Sequence, residues 1–249
     1  MDKDEKILMI AAALLVGGVG GLWLRHSQTS PAPSAPTAVV QSPPTAPPAP
    51  APLAPVLPSL DDSDTLARSK AGKLSTDARW EDWIKPEGLL RRGAAVFETL
   101  SAGSVPREAL SFLSPRKKFL FKRRSSGVLL DPNGYSRYDK TADIFSSIDA
   151  PAAGAFLKEM KPLFEQACRE FGGRTCAYPD AFTRAATPLI ETPVVEGEVK
   201  LKDSEKGIVY LFADERLERL KPAQKQLLRM GPRNQKLIQA KLKDILKAL

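Results

Sequence analysis

A mainly helical α+β domain with one or two β-hairpins, set behind one transmembrane helix and a disordered Pro/Ala-rich stalk, is the fold class this sequence predicts. Three observations predict it. Eighteen residues from Ile7 to Leu24 carry no charge, and eleven prolines fall between Pro31 and Pro58. The rest of the chain repeats apolar residues at helical spacing, broken by two short alternating runs with turn residues beside them.

The uncharged run is the expected anchor. At a rise of ~1.5 Å per residue its helix reaches about 27 Å, close to the hydrocarbon thickness of a bilayer. Trp23 sits at the far end of the run and Arg25 and His26 follow it, where interfacial anchors belong. A cleaved signal peptide is the rival reading. Against it stand the acidic leader (Asp2, Asp4, Glu5) and the lack of a small-x-small cleavage site. Lys3, Lys6 and the amino terminus precede the span and Arg25 alone follows it, which favours a cytoplasmic N-terminus. Gly17 and Gly21 are spaced for close helix approach, so self-association through that face is a further expectation.

The expected division is a cytoplasmic tail over 1–6, the span over 7–24, a linker over 25–60 and one globular domain over 61–249. Proline removes the amide donor and fixes φ, so the linker favours extended polyproline II and reads as a spacer. Three basic and three acidic residues precede residue 60, so the domain carries the whole net charge of +8.

Within the domain, apolar positions 89, 90, 94, 96, 97 and 100 predict a helix over Glu87–Leu100, and Pro106–Leu113 reads as a short helix opened by proline. Phe119 and Phe121 alternate with charge, and Ser125-Ser126-Gly127 leads to Val128-Leu129-Leu130, a hairpin pattern. Asp131-Pro132-Asn133-Gly134 is a turn. Helices are expected over Tyr135–Ile148, Pro151–Phe171 (closed by Gly172-Gly173) and Tyr178–Ile190. A second hairpin is expected within Val194–Phe212, with Ile208 to Phe212 as its buried strand. Pro222–Met230 and Pro232–Leu249 close the chain as helices, the second with Ile238, Leu242, Ile245, Leu246 and Leu249 on one face.

Tyr210-x-Phe212-Ala213-Asp214-x-x-Leu217-Glu218, followed by Gln224-Lys225-x-Leu227-Leu228-Arg229-Met230-Gly231-Pro232-x-Asn234, resembles an uncharacterised bacterial membrane-anchored family, domain of unknown function 3014. Asn133-Gly134-Tyr135-Ser136-Arg137-Tyr138-Asp139 and Pro162-Leu163-Phe164 are similar to its other signature stretches. The resemblance covers about residues 90–247 and implies the same anchor and stalk. It implies an aromatic where this chain has Cys168. It implies no activity, and it marks Arg137, Tyr138, Asp139, Leu227, Leu228, Arg229, Met230, Gly231, Pro232 and Asn234 as motif residues of structural weight.

Candidates for chemistry are few. His26, at the membrane edge, is the one histidine, which removes a Ser-His-acid triad or a histidine metal site from the domain. Cys168 and Cys176 are read either as a disulfide closing a helix end or as two buried thiols. Asp131, Asp139, Asp143 and Asp149 occupy turn and helix-surface positions, where solvation accounts for them as well as an active site does. Arg137 and Asp139 are expected to form a bidentate pair tying hairpin to helix. Trp80 and Trp83 suit either a contact site or a cap on the core. Arg116, Lys117, Lys118, Lys122, Arg123 and Arg124 are the strongest electrostatic feature, a candidate contact for a polyanion or protein partner against the alternative of one solvated hairpin face.

No catalytic residue, metal site or cofactor is therefore assigned. The expected function is a non-catalytic binding or scaffold module of the cell envelope, held in the periplasm from a bacterial inner-membrane anchor. Its expected partners are an envelope protein and, through the basic run, an anionic polymer or lipid headgroups. Nucleic acid is disfavoured for a domain outside the cytoplasm. The alternatives are a carboxylate-dependent cell-wall hydrolase and a cytoplasm-facing nucleic-acid-binding domain.

Overall fold

Residues 57–125, 127–172, 176–204 and 209–249 are described by a computed structural model. The expected tail, the 7–24 span with Gly17 and Gly21, and linker residues 25–56 lie outside the described residues. Among the described residues, no helix is long and apolar enough to cross a membrane.

The fold is mainly helical, with one small antiparallel sheet of four strands. Its core reaches back into the stretch read as linker: Leu60 is buried and Leu57 packs against the same cluster. Helix α1 (Asp64–Ala71) follows. The sequence pattern missed it because its buried face is only Ala67 and Ala71. Its Asp64 carboxylate accepts from the Gly88 and Leu89 amides at 2.7 and 2.9 Å, so it caps the start of helix α3 (Leu89–Ser101), where a negative charge offsets the helix dipole. Between them lies the single-turn α2 (Glu81–Ile84).

The expected helix over 106–113 is instead a run of turns ending in a 3₁₀ turn at Ser111–Leu113. The Ala109 carbonyl, which a continuing helix would use, accepts from the Arg92 guanidinium at 3.3 Å. The expected turn at 131–134 opens a 3₁₀ segment, Pro132–Tyr138, that runs into α4 (Asp139–Ser146).

The single helix expected over 151–171 is two, α5 (Ala150–Glu159) and α6 (Lys161–Glu170). Pro162 is the reason: it lacks an amide hydrogen and its ring excludes the carbonyl four residues back. Met160, fully buried at the break, accepts from the Leu163 and Phe164 amides. Helices α7 (Asp180–Ile190), α8 (Glu215–Glu218), α9 (Pro222–Leu228) and α10 (Pro232–Lys247) complete the helical set.

Helix α3 packs on α6 and α7. Gly93 permits the first contact, since a Cβ there would sit 2.7 Å from the Phe164 ring. Phe97 stacks on Phe164 and meets Phe182 edge-on, with centroids 5.7 and 5.4 Å away. Helix α10 packs on α4, α5 and α7, burying Leu242 and Ile245. It also buries Gln235 and Gln239, two polar residues on the same helical face as Ile238 and Leu242. The Gln239 amide donates to Leu189, Ile190 and Thr192 carbonyls at 2.7–3.1 Å, and Gln235 to Thr192 and Pro193. These amides satisfy the carbonyls at the end of α7, which the helix itself leaves unpaired.

The two hairpins join into one sheet, order β1-β2-β3-β4: β1 (Phe121–Arg124), β2 (Gly127–Leu130), β3 (Lys200–Asp203) and β4 (Tyr210–Phe212). Val128, Leu201 and Phe212 pair across three strands and form one buried row. The expected strand from Ile208 is shorter: Val209 is 56% exposed, and Ile208 lies outside the described residues. In a flat sheet the outer strands would stand about 14 Å apart. Yet Tyr210 of β4 has its ring centroid 4.6 Å from that of Phe121 of β1, and its hydroxyl accepts from Arg123 at 3.1 Å. The sheet therefore curls until its edges meet through side chains.

Candidate functional site

The helices enclose an apolar pocket of about 320 Å³. Val96, Phe97 and Leu100 of α3 form one wall, and Phe182 and Ala186 of α7 with Leu242 of α10 form another. The irregular 105–113 segment covers the outer side with Val105, Pro106, Leu110 and Leu113. No charged side chain lines it; Thr141 and Gln226 are its polar members beside the Trp83 indole. Gln226 is already engaged, donating to the Tyr138 hydroxyl at 2.9 Å. The pocket's size lies at the lower end of the ~300–1,000 Å³ range usual for small-molecule sites, and apolar walls with few polar groups are typical of them.

A second cleft of about 520 Å³ adjoins it, sharing Trp83, Leu113 and Thr141. Its character is opposite: Arg79, Arg116, Arg137 and Lys140 line it against the single carboxylate of Asp82. Arg79 is paired with Asp77, whose pKa falls to about 2, chiefly through the guanidinium hydrogen bond. Asp82 is paired with Lys85 at 2.7 Å. Arg116 and Lys140 are exposed and have no ion pair among the described residues. Arg137 lies with its guanidinium carbon 4.7 Å from the Tyr138 ring centroid and 5.4 Å from that of Phe119, and its buried Nε has no hydrogen-bond partner. The expected Arg137–Asp139 pair is thus absent among the described residues. Asp139 accepts instead from the Asn234 amide at 2.8 Å, with Arg233 at 3.9 Å.

The basic run divides in two. Lys122 lies 3.0 Å from Asp131, Arg124 lies 2.7 Å from Glu198, and Arg123 is held by Tyr210 with Asp203 at 3.9 Å. This half belongs to the sheet's own rim. Arg116, Lys117 and Lys118 are exposed, without an ion pair among the described residues.

The four carboxylates do not converge on a common point. Asp131 accepts from the Asn133 amide at 3.0 Å, and that bond, with Lys122, lowers its pKa. A general acid needs the opposite shift. Asp143 binds Arg233 at 2.8 Å, and Asp149 caps α5 through the Ala152 amide at 2.7 Å.

Trp80 is a core residue, its indole donating to the Ala71 carbonyl at 2.8 Å, whereas Trp83 lines both cavities. Cys168 and Cys176 are joined as a disulfide with Cα atoms 5.6 Å apart. With Glu98 they form the one grouping of metal-ligand types among the described residues, but bonded sulfurs offer no thiolate, and Glu98 remains the sole anionic donor.

The final motif is the joint between helices and sheet. Leu228 packs into the sheet cluster, while Leu227 and Met230 pack with Tyr138 on the helical side. Arg229 donates to the Tyr210 carbonyl at 3.2 Å and lies 4.8 Å over the Phe212 ring. Gly231 has φ +84°, and a Cβ there would come 2.4 Å from Tyr135. Pro232 opens α10, and buried Asn234 donates to the Tyr135 and Met230 carbonyls at 3.2 and 2.9 Å. Burial alone would raise the Glu218 carboxyl, but Lys225 at 2.6 Å and the Phe212 amide at 2.8 Å outweigh it, so its pKa is lowered. Glu218 thereby ties α8 and α9 to β4. Sequence spacing had no means of finding the two cavities, because their walls come from five separated stretches of chain.

No curated protein and no solved structure matches the chain. Residues 89–246 match the model of the family described as Protein of unknown function (DUF3014), and the chain belongs to that family.

Proposed function

We propose that this protein is a bitopic inner-membrane protein whose C-terminal domain, on the periplasmic side, works as a non-catalytic binding module of the cell envelope. The observation that carries the reading is the apolar pocket without a charged wall residue; the four candidate carboxylates lie outside its lining and are each engaged as caps or ion and hydrogen-bond partners. Such a pocket supplies contact area and no proton-transfer group. The uncharged 7–24 run and the proline-rich stretch after it support an anchored, extended presentation. The Cys168–Cys176 disulfide supports an oxidising compartment.

The test is topology joined to capture. A reporter active only outside the cytoplasm is fused after Leu249, with a cytoplasm-only reporter as its mirror, and a photocrosslinking amino acid replaces Val105 at the pocket rim. Extracytoplasmic signal together with a discrete crosslinked envelope component is the expected result. Signal from the cytoplasmic reporter overturns the address. Hydrolysis of isolated cell-wall material that is lost in Asp139→Asn overturns the non-catalytic reading.

A further inference from the structure

We infer that the two adjoining cavities form one site for a single-chain anionic amphiphile, its tail in the apolar pocket and its anionic head in the cationic cleft. This inference deepens the binding-module reading and rests on it.

The two cavities share the wall made by Trp83, Leu113 and Thr141, so a ligand crossing there leaves one environment and enters the other. On one side, every charged side chain is absent from a pocket of about 320 Å³, which favours hydrocarbon. On the other, four cations face one carboxylate in about 520 Å³. Two of the four are free to meet a ligand without breaking an ion pair, because Arg116 and Lys140 have none among the described residues. Arg137 supplies the sharpest indication. Its Nε is buried and unbonded, a state that costs free energy unless something accepts from it. The Phe119 and Tyr138 rings hold the guanidinium in place, so its donors are oriented before any ligand arrives. That buried nitrogen is out of a ligand's reach, but the same guanidinium lines the cleft, and a carboxylate or phosphate head there accepts from its terminal nitrogens while meeting the charge of Arg116 and Lys140. A neutral apolar ligand leaves the cleft unused, and a free anion leaves the pocket unused. Only a molecule with both parts uses both.

The experiment uses the full chain in phosphatidylcholine nanodiscs with two photoreactive probes, a diazirine-bearing palmitate and the uncharged hexadecanol carrying the same diazirine. Labelled peptides are mapped by mass spectrometry. Palmitate is expected to label peptides containing Leu100, Leu110 and Thr141 as well as the 7–24 segment. The combined Arg116→Gln, Arg137→Gln, Lys140→Gln variant is expected to lower pocket labelling by palmitate at least tenfold, on the order of one lost charged hydrogen bond, and to leave labelling by hexadecanol unchanged. Leu100→Trp, which fills the pocket from a half-buried position, is expected to abolish labelling by both probes there.

Equal pocket labelling by the two probes, insensitive to the triple variant, overturns the anionic head while leaving a binding pocket in place. Labelling confined to the 7–24 segment overturns the amphiphile site altogether. The topology and capture experiment stands or falls separately. Loss of both probes in the triple variant signals unfolding, and salt then decides on the unaltered protein. Palmitate labelling of the pocket must fall with ionic strength while hexadecanol labelling holds; salt-independence of both overturns the inference.

Discussion

The helical body and the curled sheet are built on different terms. The helical core is one broad cluster running from Leu60 to Ile245, rich in alanines such as Ala67, Ala94, Ala153 and Ala167 that let helices approach closely. The sheet cluster has six buried members, Val128, Leu130, Val199, Leu201, Phe212 and Leu228, under a rim of ion pairs. Exposed pairs of that kind add little, typically ~0–1 kcal/mol each. The comparison teaches that the sheet depends on its joint with α8 and α9, where Glu218, Leu228 and Arg229 reach into it. The apolar pocket lies in the helical body and takes no wall residue from the sheet.

Breaking the sheet at its centre should separate the two regions most clearly. Phe212 is fully buried, and Phe212→Ala should cost about 3–5 kcal/mol. Hydrogen exchange should then show β1 to β4 losing protection while α3, α6 and α7 keep theirs. Uniform loss would mean that the two regions unfold as one. On the helical side, Cys168→Ser with Cys176→Ser removes the crosslink and should lower stability by about 2–3 kcal/mol, read from the denaturant midpoint. An unchanged midpoint would detach the disulfide from the body's stability.

Gln239→Ala leaves the Ile190 carbonyl without its side-chain donor, while Leu189 and Thr192 keep the Thr192 amide and Gln235, and should cost about 1–3 kcal/mol, with exchange rising first around 189–193. The smallest effect is alkaline. Burial pushes the Tyr178 phenol from 10.0 up to about 12, so the fold favours its neutral form. Its contribution is complete below pH 10 and is lost as pH rises toward 12. Burial raises Tyr135 as well, so phenolate absorbance should show late titration from both tyrosines, and Tyr178→Phe should remove the part near pH 12. A titration unchanged by the substitution would contradict the burial.

Much of the helical framework was legible because apolar spacing and proline carry local physics. Pro222, Gly231 and Pro232 mark the α9–α10 boundary by backbone geometry alone, and the strands of the first hairpin pair from Arg124 with Gly127 onward, where the turn residues end. Helix α1 was illegible because alanine at its buried positions leaves no strong periodic contrast. The α5–α6 break was legible in principle at Pro162, but the apolar period runs on through it, and Met160 hides the break in the core. Arg137 could not be placed from sequence. Its neighbour Asp139 offered the nearer pairing, while Phe119 and Asn234, distant in the chain, decided otherwise.

Local sequence by itself determined most of the helical and extended segments and that residues 61–249 hold no histidine, because these follow from residue identity and short-range spacing. Tertiary structure alone decided that two hairpins become one curled sheet and that an apolar pocket meets a cationic cleft at Trp83, Leu113 and Thr141. Those arrangements depend on contacts between residues far apart in the chain, which no local periodicity encodes.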